Sequence, residues 1–407
     1  MSVFLTGLRR LYLNLFYKRR ECPYTLTDIL NLAIRESPYY IQLGIKEPVL
    51  EKFPFLTKDI IRKNYRSLLT HTAFRKRNYW WNTSGGSTGE PVRIAQNREY
   101  LYINRFYEVK QYLELGWRPG EPVVKLWGDE REILKGYAGL RRKFVELLKG
   151  EYILNTFVMD YGKIRAYLEF INLVRPTIIV GYVSSLVEIS KYILENNVKI
   201  HRPKAIISSA GTLYPQFRKT IEEAFQVPVF NKYGSREVGM IAYEDVNSYK
   251  KFLWVTPMNY VEEVNGELVI TSLANTVMPL IRYRIGDMGK VEMYGDKPVL
   301  KELMGRTVEV FVTRDGKLVD GEFFTHLLYF RRGIRKFRFI QEDYDFVLVQ
   351  IELEEGVGRE SLAETMRSVE SGIKKVMGKG TKVEFEFPDR IPPLPSGKFV
   401  YTISKVR

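Results

Sequence analysis

The sequence predicts an α/β protein in which a large N-terminal domain with mixed sheets and flanking helices precedes a small α+β C-terminal domain. The chain has 407 residues, which is more than a single hydrophobic core usually serves. Short apolar runs alternate with stretches of helical periodicity between Pro122 and Phe230, as is typical of α/β architecture. Beyond Gly305 and Arg306 the tail has a layout of its own. We therefore predict domains at 1–305 and 306–407.

Helical periodicity and capping signals predict three helices in the first part of the chain. The second follows the capping residue Thr57, and the third ends before Gly116. Their predicted bounds are Asp28–Arg35, Asp59–Leu69 and Tyr100–Leu115. The alternating region that follows predicts helices at Lys163–Val174, Ser184–Glu195 and Gln216–Phe225. Its apolar runs predict strands at Pro122–Trp127, Thr177–Val180, Ala205–Ser208 and Val227–Phe230.

The pattern changes to β from Phe252 onward. Two strands are predicted in this turn-rich region, at Glu267–Ser272 and Gly289–Met293. In the tail we predict a hairpin, then a helix and a last strand, at Arg338–Gln341 with Phe346–Leu353, Ser361–Val376 and Lys382–Phe387.

The N-terminus predicts an amphipathic helix over residues 3–17. Phe4, Leu8, Leu11 and Leu15 fall at helical spacing, and the basic cluster Lys18-Arg19-Arg20 follows them. Such a helix either docks on the protein's own body or lies on an anionic membrane surface, and the sequence leaves both open. We expect a cytoplasmic protein that is, in the second case, peripheral to the inner face of the membrane.

Composition excludes several classes of protein. Cys22 is the single cysteine, so an internal disulfide and a thiolate metal cluster are excluded, and a reducing compartment is favoured. The three histidines are scattered and offer no spacing for a zinc site. The formal net charge of +15 favours anionic partners. Because the positive residues are dispersed and no nucleic-acid-binding motif accompanies them, we expect small anions rather than nucleic acid.

A loop rich in glycine and hydroxyl side chains is the most informative motif of the chain. It runs from Thr83 to Pro91, with Ser84, Gly85, Gly86, Ser87, Thr88 and Gly89 in succession. Backbone N–H groups of such a loop can surround a phosphate while the hydroxyls donate further hydrogen bonds. The spacing is not that of a Walker loop. The alternative is a flexible connector.

Other motifs follow predicted strands or stand near the C-terminus. Ala210-Gly211 and Tyr233-Gly234-Ser235-Arg236-Glu237 lie where strands of an α/β sheet end, which is where such sheets bind ligands. Glu237 offers a carboxylate for Mg²⁺, and Asp287 offers one for ribose hydroxyls. Pro392–Lys398 is a proline-stiffened loop that presents one lysine. For Tyr233–Glu237 the alternative is an ordinary turn. For the segment that ends at Asp287 it is a surface hairpin, and for Pro392–Lys398 it is an exposed tail.

Taken together, these motifs resemble those of the adenylate-forming superfamily, which includes acyl-CoA synthetases and adenylation domains. The sequence is most similar to the phenylacetate-CoA ligase branch, with its CapK-like capsule-biosynthesis proteins and deazaflavin-adenylating synthetases. The phrase Phe53-Pro54-Phe55-Leu56-Thr57-Lys58 is similar to N-terminal wording of that branch. The resemblance spans nearly the whole chain, and its motifs occur in the family's order: Thr83–Pro91, Tyr233–Glu237, Tyr283–Asp287, Gly305-Arg306 and Ser396-Gly397-Lys398.

The resemblance implies an AMP-forming ligase with ATP and Mg²⁺ as cofactors. The Thr83–Gly89 loop would hold the phosphates, Glu237 would bind Mg²⁺, and Lys398 would stabilise the transition state of acyl-adenylate formation. The adenine would contact Ala210-Gly211 and the ring of Tyr233, beside Gly234. Asp287 and Arg306 would bind the ribose. In this family the small domain rotates after the first step, with its hinge at the position of Gly305-Arg306.

Several positions depart from the family pattern. Glu90 stands where relatives often carry lysine, and Arg236 stands where a hydroxyl residue is usual and can contact the α-phosphate directly. Thr212 replaces a common acid, and Glu309 is the nearest candidate for the acidic hinge residue. These changes leave nucleotide binding expected but make CoA thioester formation less secure.

Three functions are compatible with this pattern. The first is activation of a carboxylic acid and transfer to coenzyme A, as in a phenylacetate-CoA ligase. The second joins the activated acid to an amine or hydroxyl acceptor in cell-surface polysaccharide biosynthesis. The third is a non-catalytic nucleotide-binding protein, which the retained Lys398 disfavours. Trp127, Tyr182 and Phe230 are candidates to line an acyl pocket for an aromatic or apolar acid.

Overall fold

The computed structural model describes residues 21–83, 92–127, 149–156, 161–306, 311–315, 318–319, 321–328, 331–393 and 399–406. The predicted helix at 3–17, the loop residues Ser84–Gly89 and Lys398 lie outside these ranges. Contacts divide the chain into two units: Met1–Ile285 with Gly289–Leu303, and Gly286–Met288 with Met304–Arg407. The predicted domain bounds at 1–305 and 306–407 stay a prediction.

The described helices fall into two groups along the chain, and short 3-10 turns lie at Leu50–Lys52 and Arg359–Leu362. Their bounds are α1 Leu26–Glu36, α2 Pro38–Gln42, α3 Lys58–Asn64, α4 His71–Lys76, α5 Arg98–Glu114, α6 Tyr161–Val174, α7 Val183–Glu195, α8 Pro215–Phe225, α9 Gly321–Leu328 and α10 Ala363–Met377. Among these residues, no helix is both long enough and apolar enough to cross a bilayer.

The strands form one large sheet, one smaller sheet and two hairpin-like pairs. Their bounds are β1 Tyr79–Thr83, β2 Arg93–Asn97, β3 Val123–Trp127, β4 Glu151–Asn155, β5 Ile178–Tyr182, β6 Ala205–Ser209, β7 Val229–Ser235, β8 Gly239–Tyr243, β9 Leu253–Val255, β10 Asn259–Val264, β11 Glu267–Ser272, β12 Tyr283–Tyr294, β13 Lys297–Arg306, β14 Phe311–Val312, β15 Leu318–Val319, β16 Ile334–Asp343, β17 Phe346–Leu353, β18 Lys382–Glu386 and β19 Thr402–Ser404.

The large sheet has eleven strands in the order β10-β11-β12-β13-β9-β8-β7-β6-β5-β3-β4. Pairing is parallel from β7 through β6, β5 and β3 to β4, and antiparallel between β7, β8 and β9. The sheet is therefore mixed, with its change of direction at β7. The predicted α/β class with mixed sheets is confirmed.

Two apolar clusters flank different parts of this sheet. The larger one gathers residues of α1 to α4 with side chains of the antiparallel strands, among them the fully buried Tyr40 and Tyr283. The smaller one packs α5 against the parallel strands, through Tyr112, Val180 and Phe230. Burial on this scale drives formation of both layers. The central parallel strands β5 and β6 are accordingly buried at every position, as strands covered on both faces usually are.

The second unit contains a four-stranded sheet in the order β18-β17-β16-β19. The predicted hairpin of β16 and β17 is antiparallel, and the outer strands pair in parallel with it. Helix α9 contacts β16 and β19, while α10 contacts β18. This arrangement confirms the α+β class of the C-terminal part.

Candidate functional site at the carboxyl edge of the sheet

The site forms where β6 and β7 end. These strands pair in parallel, with Ser208 opposite Asn231, so their carboxyl ends meet at one edge of the sheet. β7 then continues and pairs antiparallel with β8, with Tyr233 opposite Ala242. The edge is thus also the place where the sheet changes direction. In open α/β sheets, ligands bind outside the carboxyl ends of strands at such points.

Ala210 makes the sharp turn after β6. Its φ of 61° lies in the left-handed region, which costs a residue other than glycine about 1–2 kcal/mol. The neighbouring Gly211 is exposed, whereas Ser209 before it is buried. The strained turn therefore leaves the backbone of Ala210 and Gly211 at the surface of the carboxyl edge, as expected for a segment that approaches a ligand closely.

The Tyr-Gly motif forms the tight connection between β7 and β8. A Cβ atom on Gly234 would lie 2.4 Å from the carbonyl oxygen of Gly239, so only glycine fits there. Gly239 has a φ of 73°, and a Cβ on it would lie 2.5 Å from Oδ1 of Asn104. That same oxygen accepts a hydrogen bond from the Met240 amide at 2.8 Å. Helix α5 therefore fixes the hairpin that carries Glu237.

Glu237 lies in a buried polar pocket. Its carboxylate accepts a hydrogen bond from the Tyr283 hydroxyl at 3.3 Å, and only 6% of the residue is exposed. The buried hydroxyl of Tyr100 has no hydrogen-bond partner among the described residues. Burial and the nearby Glu237 carboxylate raise the pKa of Tyr100 far above its ordinary value. Tyr100 therefore stays protonated and can donate a hydrogen bond.

The donor set around Glu237 fits a metal that arrives with a nucleotide. Across the described part of the chain, no group of three or more His, Cys, Asp or Glu side chains could hold a metal. Mg²⁺ usually keeps several waters and binds through one or two carboxylates together with phosphate oxygens. A single buried carboxylate is compatible with that mode.

Gln96 joins two of the predicted motifs. Its amide nitrogen donates to the Arg236 carbonyl oxygen at 2.8 Å, and its amide oxygen accepts from Asn82 at 3.0 Å. Asn82 lies in β1, which ends at the exposed Thr83, where the glycine loop begins. The start of the glycine loop and the Tyr-Gly motif are thereby held together. The Arg236 side chain is exposed.

The remaining predicted residues lie in strands. Tyr233 is 9% exposed and packs in the larger apolar cluster, and Asp287 is also 9% exposed. The segment Tyr283–Asp287 opens the long strand β12. Arg306 is the last residue of β13. The nucleotide-binding and catalytic roles of these residues stay predictions.

Arg338 anchors the segment that contains Lys398. From β16 its guanidinium donates to the Pro392 carbonyl oxygen at 2.8 Å and to the Val400 carbonyl oxygen at 3.0 Å. The Phe399 ring packs over the same guanidinium, 5.0 Å away. Burial lowers the pKa of Arg338 to about 10. The group is still charged at neutral pH, so both flanks of the lysine segment are bound to one cation. The sequence contains no local signal for this contact.

One face of the parallel strands carries the predicted aromatic candidates. The rings of Trp127 and Tyr182 lie 4.3 Å apart at the ends of β3 and β5. Tyr182 pairs with Ser209. Because Ser208 pairs with Asn231, the next residues along the two strands, Ser209 and Lys232, also lie side by side. These four side chains form a row along the carboxyl edge, which we call the edge row. Phe230 lies one level deeper, against Tyr249, in the smaller apolar cluster.

A cluster of five charged side chains lies beneath the edge row. Its members come from α5, β3, β4 and β7, and we call it the inner ionic cluster: Arg105, Glu108, Lys125, Glu151 and Lys232. Arg105 contacts Glu108 at 2.9 Å and also Glu151, and Lys125 contacts Glu151 at 3.1 Å. Lys232 reaches Glu108 at 3.4 Å.

The charges in this cluster perturb one another. Burial, together with Arg105 and Lys232, lowers the pKa of Lys125 to about 7, while Glu108 opposes them. Burial disfavours ionisation of Glu108, but Lys232, Lys125 and Arg105 outweigh it and hold the pKa of that carboxyl well below its ordinary value. Perturbed groups next to a strand edge are typical of functional sites.

Comparisons with known proteins agree with this architecture. A family model described as the CapK C-terminal domain matches residues 311–405. The chain is 26% identical to Protein CapK of Staphylococcus aureus over 376 residues, which is 88% of this chain and 81% of that protein. It is also 26% identical over 142 residues to indoleacetate–lysine synthetase of Pseudomonas savastanoi, covering 34% of this chain and 36% of that protein.

The fold is also similar to that of a solved ligase. The structure of 2-hydroxyisobutyryl-CoA ligase in the postadenylation state, in complex with 2-HIB-AMP, matches with a TM-score of 0.69 and 17% identity. The match covers 100% of this chain and 89% of that one. Another structure of the same ligase contains 2-HIB-AMP and CoA.

The fold of the chain is therefore similar to that of the solved 2-hydroxyisobutyryl-CoA ligase. The sequence match to CapK extends over most of both proteins, and the match to the CapK C-terminal domain falls on the small unit.

Proposed function

We propose that the protein uses ATP to convert a carboxylic acid into an acyl-adenylate and then transfers the acyl group to a nucleophile. The observation that carries this proposal is the meeting of Ala210-Gly211 and Tyr233–Glu237 at the carboxyl edge, where the sheet changes direction. The link from Gln96 to the Arg236 carbonyl adds the start of the glycine loop to the same place.

In the first step the acid's carboxylate attacks the α-phosphorus of ATP and pyrophosphate leaves. We propose that the Thr83–Gly89 loop binds the phosphates and that the exposed Arg236 contacts the α-phosphate. Glu237 would hold Mg²⁺, which offsets the negative charge that repels the incoming carboxylate. Tyr283, which donates to Glu237, keeps that carboxylate in one orientation.

We propose that Lys398 stabilises the charge that develops at phosphorus during this step. Tyr233 and Ala210-Gly211 would contact the adenine, and Asp287 and Arg306 would contact the ribose. Movement of the small domain about the Gly305-Arg306 hinge would then remove Lys398 and admit the acceptor.

The acceptor is proposed in two forms. Coenzyme A is the first, and the similarity of the fold to a CoA ligase supports it. An amine is the second, and the sequence similarity to a protein named indoleacetate–lysine synthetase supports it. An amine or hydroxyl acceptor would suit a cytoplasmic enzyme of cell-surface polysaccharide biosynthesis, and residues 3–17 could then hold it near an anionic membrane.

The test is ATP–pyrophosphate exchange against a panel of carboxylic acids. We expect exchange with at least one acid, and a loss of about a hundredfold or more in Lys398→Ala, because removal of a transition-state contact costs that much. ATP binding, measured by calorimetry, should change little in this variant. Lys375→Ala, a lysine in the last turn of α10, is the matched control and should keep the wild-type rate.

Two results would contradict the proposal. Exchange with no acid, together with absence of ATP and AMP binding, would exclude adenylation. An unchanged exchange rate in Lys398→Ala would remove the role of that lysine. CoA, lysine and amino sugars are then added to the best acid, and the product that forms identifies the acceptor.

A further inference from the structure

The edge row combines an aromatic surface with one cation. Trp127 and Tyr182 form its apolar part, Ser209 its hydroxyl, and Lys232 its charge. The Lys232 ammonium lies 5.8 Å from the centroid of the Trp127 ring, so the lysine extends along the row towards the aromatic pair. Its side chain is only 11% exposed. The lysine amine therefore stands at a mostly buried position on the carboxyl edge.

The Lys232 charge is weakly compensated by the contacts of the described residues. Its nearest carboxylate, Glu108, lies 3.4 Å away. The other oxygen of Glu108 is 2.9 Å from Arg105, which is the closer partner. Lys125 contacts Glu151 at 3.1 Å, and Arg105 contacts that carboxylate as well. A buried charge is costly unless it is paired at good geometry, so Lys232 gains most from an additional anion.

The surroundings favour an anion for a second reason. Arg105 and Lys125 stand behind Lys232, and Lys149 is a further cation close to Arg105. The crowding of positive charge contributes to the lowered pKa of Lys125 described above. A negative group that enters beside Lys232 relieves this repulsion. An uncharged group of the same shape does not, and it leaves the ammonium without a new partner.

Lys232 immediately precedes Tyr233 in β7, and Ser209 immediately precedes Ala210 after β6. The edge row is therefore one residue away from both proposed adenine-contacting segments. On the proposed function, the acid must place its reacting carboxylate near the α-phosphate at this edge. The remainder of the acid then has the edge row as its nearest surface.

We propose that Lys232 selects a carboxylic acid that carries a second anionic group, with the body of the acid against Trp127 and Tyr182. This inference rests on the proposed function and narrows its substrate to the class of dianionic acids. Lys232 would act as a specificity residue, since it binds the group that does not react. The inner ionic cluster holds the lysine extended towards that group.

The experiment compares acids that differ only in charge. The probes are the ortho, meta and para carboxylated derivatives of phenylacetate and the corresponding uncharged carboxamides. Succinate and glutarate are compared with their monoamides in the same way. The readout is kcat/KM for ATP–pyrophosphate exchange with the full-length protein. We expect at least one charged acid to exceed its amide by about thirtyfold or more.

The variants are Lys232→Met, which removes the charge at similar length, and Lys232→Arg, which keeps it. We expect Lys232→Met to lose the preference for the charged acid, because its rate falls more with the charged acid than with the amide. Lys232→Arg should retain most of the preference. Lys219→Met, at a side chain that is 77% exposed, is the control for loss of one positive charge.

The outcomes separate this inference from the proposed function. Equal rates of the wild-type protein with charged and uncharged members of every pair would overturn the inference and leave adenylation intact. The inference is also overturned if Lys232→Met keeps the preference. It is overturned as well if this variant lowers both rates alike, because the lysine would then act on the reacting carboxylate or on the fold. Exchange with no acid at all would refute the proposed function itself. The preference of the wild-type protein needs no variant, so it tests the inference even if Lys232→Met fails to fold.

Discussion

Two buried ionic groups contact neighbouring residues of β7, and their contacts differ. Asn231 contacts one of them, and the next residue, Lys232, belongs to the other. In the first group, Arg218 and Glu244 form a bidentate pair with nitrogen–oxygen distances of 2.7 and 3.0 Å. The Asn231 amide also donates to Glu244 at 2.7 Å. The second group is the inner ionic cluster, with three basic side chains and two carboxylates.

The Arg218–Glu244 pair is closed, because each partner binds the other with good geometry and further hydrogen bonds complete it. Arg218 also donates to the Val229 carbonyl oxygen, and its guanidinium lies over the Tyr249 ring. The inner ionic cluster is open, because Lys232 shares its carboxylate with Arg105. A closed pair joins α8 to β7 and β8, whereas an open cluster can accept an anion from outside. On the proposal made above, the comparison separates a structural group from a binding group.

Breaking the closed pair should give the largest loss of stability. Arg218→Met leaves the Glu244 carboxylate buried without its cation, and we expect the free energy of unfolding to fall by about 3–5 kcal/mol. Urea unfolding followed by circular dichroism measures this loss. The double variant Arg218→Met/Glu244→Leu should recover most of it, since no uncompensated charge remains. A loss below about 1 kcal/mol in the single variant would contradict the structural role.

The inner ionic cluster should make the stability of the protein depend on pH. The lowered pKa of Lys125, about 7 against its ordinary value of 10.5, means that the unfolded chain binds more protons than the folded one between these values. Stability therefore rises with pH across this window, by up to about 1.4 kcal/mol per pH unit, and the penalty is fully present below about pH 7. Arg105, Lys149 and Lys232 oppose the charged amine, and Glu108 and Glu151 favour it.

Lys125→Met removes the titrating group and should lose this dependence. We expect the difference in unfolding free energy, wild type minus variant, to increase as the pH is raised from about 7 to about 9. Urea unfolding at a series of pH values measures it, and Lys219→Met should show a flat difference. Parallel curves for the wild-type protein and Lys125→Met would mean that Lys125 titrates normally.

An exposed ion pair should give the smallest loss of unfolding free energy. Arg165 and Glu169 are 3.1 Å apart on α6, and their side chains are 75% and 68% exposed. We expect Arg165→Gln to cost less than about 0.5 kcal/mol, because solvent screens such pairs. The same urea assay detects this value. A loss comparable with that of Arg218→Met would show that burial does not separate the two kinds of pair.

Local structure was largely predictable from the sequence. Thr57 caps α3 as predicted and accepts a hydrogen bond from the Ile60 amide. The predicted strands at Pro122–Trp127 and Ala205–Ser208 agree with β3 and β6 to within one residue at either end. These segments carry their signals locally, in apolar runs and capping residues.

Predictions failed where long-range contacts decide the structure. The helix predicted over Asp59–Leu69 ends at Asn64, whose side chain donates back to the Ile60 carbonyl oxygen. Strand β7 continues to Ser235, beyond the predicted end at Phe230, because β8 is available to pair with it. Strands β4, β8 and β13 were not predicted at all. Strand β4 pairs with β3, and β8 pairs with β7 and β9, so these strands form only once their neighbours are in place.

The site shows the same division. Glycines and hydroxyl residues indicated the proposed nucleotide motifs, because such motifs are continuous in sequence. The roles of Gln96, Lys232 and Arg338 depend on which strands and helices meet, which composition does not encode. The sequence did contain a signal for Lys125. It is a lysine within the apolar strand Val123–Trp127, and lysine is rarely buried in a protein core without a partner. A charge at such a position indicates a buried partner, although not which one.

The double attachment of Arg338 has a consequence for how the lysine segment can evolve. Its two hydrogen bonds hold the carbonyl groups of Pro392 and Val400 on one side chain, so the two ends of the intervening segment are a fixed distance apart. A substitution within this segment leaves its length unchanged. An inserted or deleted residue changes its length and therefore the position that Lys398 can reach. Related chains that keep this arginine should therefore vary in composition there but not in length.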